Sequence, residues 1–152
     1  MAATQGSSTF FRSDAGIAST GPLPDGFDAP TVLRWRARVD SGQSTPIVSG
    51  DRIFLTTYRA ADRELATLAL DRKSGQVLWK QKAPAERIEE LHPTMGNPAA
   101  ATPACDGERV FVFFGSFGLI SYDLEGRKLW QQALGPFRDE YGASSSPMLV
   151  DD

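Results

Sequence analysis

The chain has 152 residues, 41% hydrophobic and 23% charged, which is enough for one domain-sized core, and its 14 glycines and 10 prolines imply many turns. A formal net charge of −3 and a pI near 5.2 leave no global attraction toward nucleic acid or an anionic membrane surface. The single cysteine, Cys105, excludes an intrachain disulfide and a cysteine-built zinc site, and reads as a small buried hydrophobe.

Residues 1–30 lack both the basic start and the apolar run of a secretory signal, and no stretch of the chain has the 18 or so apolar residues of a membrane span. If the protein is exported, its targeting segment is expected to lie outside this chain. The composition of 1–30, rich in Gly, Ser, Pro and Ala, predicts an irregular lead-in anchored by Phe10, Phe11 and Phe27. In Leu33–Val39, "LRWRARV", the apolar Leu33, Trp35, Ala37 and Val39 alternate with three arginines. Period two predicts a strand with one buried face. Arg34, Arg36 and Arg38 could hold a phosphate or carboxylate on the wet face, but a solvated outer edge that resists aggregation is the simpler reading.

A repeat follows. "TPIVSGDRIFL" from Thr45 matches "TPACDGERVFV" from Thr102 at Thr, Pro, Gly, Arg and Phe, and a third copy opens at Ser146 as "SPMLVDD". In each copy Ser/Thr-Pro starts a strand where a missing amide hydrogen is harmless. A turn at "SGD" or "DGE" leads to a second, almost wholly apolar strand. "LATLALD" and "GLISYDL" then supply a third strand, and "QVLWKQ" and "RKLWQQ" a fourth. Thr45 and Thr102 are 57 positions apart, Thr102 and Ser146 44. The surplus of the first unit falls in the hairpin around "RAADRELA", expected to loop out at Ala60–Glu64, and in the link that follows Trp79. A unit of this length with four strands and a terminal tryptophan predicts a β-propeller blade.

Within that unit Asp71 and Gly75 bracket a tight turn, the carboxylate capping amides and the glycine taking positive φ. Trp79 on the outer strand is expected to bury its ring against the adjacent blade, with the small Ala69 leaving room for a neighbour's indole. The second copy has Ser121, Asp123, Gly126 and Trp130 in these places, with one residue fewer in the turn, and Trp35 belongs to the same series. Because the set recurs, it reads as a structural clasp between blades rather than a ligand site.

Ala69, Asp71, Ser74, Gly75 and Trp79 resemble the tryptophan-docking motif of the pyrroloquinoline-quinone-like (PQQ-like) propeller repeats. The resemblance covers about residues 31–152 and includes "HPTMGNPAAATPACDGERVFVFFGSFGLISYDLEGRKLWQQALGPF", which is similar to exported bacterial propellers of the BamB type and of unassigned function. It implies an all-β fold, a partial β-propeller of four-stranded antiparallel blades, placed in the periplasm or cell envelope. The organisation expected is a lead-in (1–30), an outer strand of a preceding blade (31–40), a first blade (41–81), an inter-blade loop (82–101), a second blade (102–132), then a loop and the first strand of a third blade (133–152). Two blades cannot close a ring, so the chain is expected to be a segment of a longer propeller or to associate through its open edges.

Membership of a repeat class does not make an enzyme. The resemblance extends to quinoprotein alcohol dehydrogenases, which would need pyrroloquinoline quinone, calcium, an acidic base and often adjacent cysteines. This chain has no adjacent cysteines and no dense acidic cluster outside turns. The reading is therefore a non-catalytic scaffold, with no cofactor and no catalytic or metal-binding residue expected, and a quinoprotein fragment is the alternative. Its partner, a protein or small ligand, would bind the propeller face formed by the inter-blade links. His92 and Asn97 in the first link, with Arg138 and Tyr141 in the second, are the candidate binding residues. A lone histidine is weak ground for a metal, and His92-Pro93 reads as a loop-ordering step. The one helical candidate is Pro84–His92, one or two turns.

Overall fold

A computed structural model describes residues 32–138, 141, 143 and 145–150, and the lead-in with Phe10, Phe11 and Phe27 lies outside them. Eight strands form two separate four-stranded antiparallel sheets. The first contains β1 (Ile47–Ser49), β2 (Arg52–Arg59), β3 (Glu64–Asp71) and β4 (Val77–Lys82), paired in sequence order. The second repeats that order with β5 (Ala104–Cys105), β6 (Arg109–Phe114), β7 (Gly118–Asp123) and β8 (Lys128–Ala133). Together they are two blades of an open β-propeller. The up-and-down path puts the β1–β2 and β3–β4 turns at one end, and the β2–β3 hairpin and inter-blade links at the other.

The surplus of the first blade is not simply looped out at Ala60–Glu64. Strands β2 and β3 have eight residues each, whereas β6 and β7 have six, so most of it lengthens the ladder. Arg59 pairs with Glu64 at the tip. A charged cluster follows from that extension: Arg59 binds Asp62 at 2.8 Å and Glu64 at 2.9 Å, while Lys80 binds Glu64 at 2.7 Å and Asp40 at 3.0 Å.

The core lies between the sheets. Phe54, Ala69 and Trp79 share a cross-strand row on one face of the first blade, because Phe54 pairs with Ala69 and Ala69 with Trp79. Phe111, Ser121 and Trp130 occupy the same row in the second. Trp79 lies 5.9 Å from the Phe54 ring and 5.8 Å from Tyr122 of the other blade. Burial pushes the Tyr122 phenol up to about 12.

The innermost strands are joined by a polar chain. The Thr45 amide donates to Thr102 Oγ1 at 3.0 Å, and the Thr102 amide donates to Ser146 Oγ at 3.0 Å. Thr102 thus has two tasks, since its own amide reaches forward and its hydroxyl accepts from behind, while Thr45 shows the first and Ser146 the second. The sequence pattern exposed the proline's role and hid the hydroxyl's.

Three further expectations meet a different arrangement among the described residues. No helix forms over Pro84–His92, because the segment is laid along the second blade with Ile88 against the core and the Glu89 amide bonded to Ser116 Oγ at 3.2 Å. Leu33–Val39 pairs with no strand among the described residues, and its two ends, Leu33 and Val39, are 50% and 37% exposed. Period two survives there only in Trp35 and Ala37, which are partly buried. Residues 145–150 likewise join no sheet.

Candidate binding face

Two kinds of site residue can now be placed, beginning with the repeated set. Asp71 Oδ1 accepts from the amides of Lys73 at 3.0 Å and Ser74 at 2.7 Å, and from the Ser74 hydroxyl at 2.7 Å. The Ser74 hydroxyl, then the turn amides, hold the Asp71 carboxyl below its ordinary range. Asp123 is also lowered: burial opposes its ionisation, but the amide and guanidinium of Arg127 outweigh that. Gly75 and Gly126 close these turns at φ of 73° and 85°, where a side chain is strained.

The glycines also make room for indoles. A Cβ on Gly75 would overlap the ring of Trp35, and one on Gly126 would lie 2.6 Å from Trp79 Cδ2. Each ring is pinned at its other end, with Trp35 Nε1 donating to the Arg72 carbonyl at 2.9 Å and Trp79 Nε1 to that of Leu124 at 2.8 Å. Arg72 and Leu124 follow Asp71 and Asp123, so the two contacts are one arrangement repeated. Trp130 is 42% exposed, and among the described residues its one ring contact is a tilted one with Phe111 at 6.3 Å.

The unrepeated candidates lie at the opposite end. After β4 the first link, pinned by the Ala83 amide on Leu65 O at 2.8 Å, crosses to the second blade. There the Glu89 side chain is 6% exposed and packs on Gly115, where any Cβ would meet its carboxylate. His92 closes the next turn: its Nδ1 accepts from the Thr94 amide at 3.3 Å, and its carbonyl accepts from Gly96 at 3.1 Å. Asn97 Oδ1 accepts from the Ala99 amide at 2.8 Å, and the Ala99 carbonyl then accepts from Gln43 and Ser44. Asn97 therefore shapes the return of the link to the blade centre.

The second link folds over the β6–β7 hairpin, with the Leu134 and Gly135 amides donating to Phe117 O at 2.7 and 2.8 Å and Phe137 to Gly115 O at 2.9 Å. Phe137 meets Phe113 edge-on at 5.7 Å. His92 and Tyr141 stack at 6.0 Å and 15°, joining the two links. Beside the hairpin a cleft of about 600 Å³ is lined by Arg87, Ile88, Glu89, Glu90, Pro136, Phe137 and Arg138. The structure thus brings His92 to Tyr141 and puts Arg138 on a cleft wall, whereas Asn97 does not line the cleft. Sequence reasoning missed Arg87, Ile88 and Glu89 as lining groups, because a helix over Pro84–His92 would have scattered them around its axis.

The cleft mixes cations, carboxylates and apolar walls. Among the described residues no three His, Cys, Asp or Glu side chains converge as metal ligands, and Asp71, Asp106 and Asp123 are committed to their own turns. The carboxylates among the described residues do not supply a ligand set that fits calcium-bound pyrroloquinoline quinone. No described helix is long and apolar enough to cross a membrane.

No curated protein matches the chain. Among solved structures 16 chains match. One of them is BamB from Moraxella catarrhalis, at 20% identity and a TM-score of 0.56 over 78% of this chain and 35% of that one. The chain thus spans about a third of that relative's length, and at this identity the likeness is one of fold. The family model described as outer membrane protein assembly factor BamB matches residues 28–151. By that match this chain belongs to the BamB-like family of PQQ-type propeller proteins.

Proposed function

We propose that this protein is a non-catalytic envelope scaffold that presents its link-bearing face to a protein partner. The observation behind this reading is the convergence of two unrepeated links on one hairpin, joined by the His92–Tyr141 stack and leaving the cleft beside them open. Repeated polar residues are occupied in turns and clasps, so the unrepeated ones on a rigid scaffold are the natural seat of recognition. The family's description as an outer membrane protein assembly factor supports an envelope location and a protein partner. In this reading Trp35, Trp79 and Trp130 with their glycine turns are inter-blade clasps, no quinone or calcium is bound, and the open edges meet further blades or a second copy.

The test is made on the full-length protein in the envelope fraction. A double substitution, His92→Ala with Arg138→Ala, is expected to abolish recovery of the partner while leaving the melting temperature within about 2 °C. Unchanged recovery overturns the reading. Adding calcium and pyrroloquinoline quinone is expected to give neither stoichiometric uptake nor dye-linked alcohol oxidation, and uptake with turnover would favour a quinoprotein dehydrogenase instead.

A further inference from the structure

At the turn-bearing end, away from the proposed binding face, a second cleft of about 470 Å³ is lined by Arg34, Asp51, Arg72 and Lys73. Three cations here face one carboxylate. The backbone that carries them is fixed on both sides, since Trp35 Nε1 holds the Arg72 carbonyl at 2.9 Å and the Arg72 amide donates to the Asp51 carbonyl at 2.9 Å. Their side chains are less committed. Arg34 has no hydrogen bond or ion pair among the described residues. Arg72 Nη1 reaches only the Gly50 carbonyl at 3.4 Å, and Lys73 meets Asp51 at 3.6 Å with the two side chains 80% and 66% exposed. An exposed pair at that distance contributes little.

The other blade supplies an internal control. Its equivalent crevice, where Trp79 replaces Trp35, has Leu78 in place of Arg34, Glu108 for Asp51, Leu124 for Arg72 and Glu125 for Lys73. None of the three cations has a counterpart, and the one cation that enters, Arg52 from the first blade, is paired with Glu125 at 2.9 Å. The clasp needs only the indole, the glycine and a carbonyl, all of which persist in both blades. Clasp architecture therefore does not account for the three cations of the first crevice.

We infer that the Arg34–Arg72–Lys73 cleft binds a phosphate group, either as a free phosphate ester or as an anionic phospholipid headgroup. Two guanidinium forks and one ammonium suit a tetrahedral anion, because arginine offers paired donors and lysine a point charge. The cleft has more room than a bare phosphate needs, which leaves space for the group that bears it. A net charge of −3 denies the chain a general attraction for anions, so any binding has to be local.

The test uses the full-length protein at low salt. One arm titrates inorganic phosphate and glycerol phosphate by calorimetry, and the other measures co-sedimentation with phosphatidylcholine vesicles with or without phosphatidylglycerol. Saturable binding is expected in at least one arm, and which arm responds identifies the source of the phosphate. Arg34→Gln and Arg72→Gln should each weaken it about tenfold, as loss of a charged hydrogen bond does. Arg36→Gln, on the same segment but outside the cleft, should leave it unchanged. No binding in either arm overturns the proposal, as does binding that Arg34→Gln spares or that Arg36→Gln weakens equally.

Discussion

The row Phe54–Ala69–Trp79 and the row Phe111–Ser121–Trp130 are the same three positions of the same blade, yet only the first is covered. Phe54 is fully buried and Trp79 partly so, with its nitrogen bonded, while Phe111 is half-buried and Trp130 is 42% exposed. The difference is a neighbouring blade, whose Gly126 turn, Leu124 carbonyl and Tyr122 ring receive Trp79. Cross-strand pairing sets the row, but a second blade is needed to make it a core, so the energetic unit of this fold is the pair of blades.

Removing the indole tests that comparison most severely. Trp79→Ala should cost about 3 kcal/mol, at the lower end of the range for a large buried side chain because the ring is only partly covered. Trp130→Ala in this chain should cost under about 1 kcal/mol. Denaturant melts of the two variants check the pair, and equal losses would show that the blades are energetically independent.

The receiving turn comes next. Gly126→Ala should cost about 2–3 kcal/mol, because φ of 85° strains any side chain and the new Cβ would displace Trp79. Gly107→Ala has φ of 97° and open space around it, so it should cost only the backbone strain, about 1 kcal/mol. Similar losses at both would mean that Trp79 moves away freely. At the centre, Thr102→Val removes the acceptor for the Thr45 amide and should cost about 1–2 kcal/mol, and Thr102→Ser should restore most of it.

The smallest effect is one of pH. Asp71 and Asp123 have depressed carboxyl values in the folded chain, so their contribution is present above the ordinary carboxylate range and is lost as pH falls through the lower folded values. Asp71→Asn should therefore flatten the acid side of the stability profile and leave neutral pH less affected. A chemical melt repeated from pH 6 to pH 3 reads this directly.

Which features the sequence disclosed follows from how local each one is. Turns at Gly75 and Gly126 and the four-strand unit depend on residues close in the chain, and repetition amplified them, whereas the room for a neighbour's indole expected at Ala69 is found at Gly75 and Gly126, and Ala69 pairs with Trp79 of its own blade. Leu33–Val39 has the period of a strand but no described neighbour to pair with, and periodicity cannot report a partner. Pro84–His92 has helix-forming residues, yet Ile88 and Glu89 gain more from the second blade than from a lone turn of helix. The candidate face was visible only as insertion length and polar content. That His92 would stack on Tyr141, and that Arg87 and Ile88 would line a cleft with Arg138, depended on a fold-back over Phe117 that no local pattern announced.

The hydroxyl chain at the blade centres has a head and a tail. Thr102 gives its amide to the following repeat and offers its oxygen to the preceding one, a plug forward and a socket backward on a single residue. Such a linkage is indifferent to how many units it joins. By this wiring, adding or removing one whole unit at a Ser/Thr-Pro boundary would leave each central amide facing the same kind of acceptor.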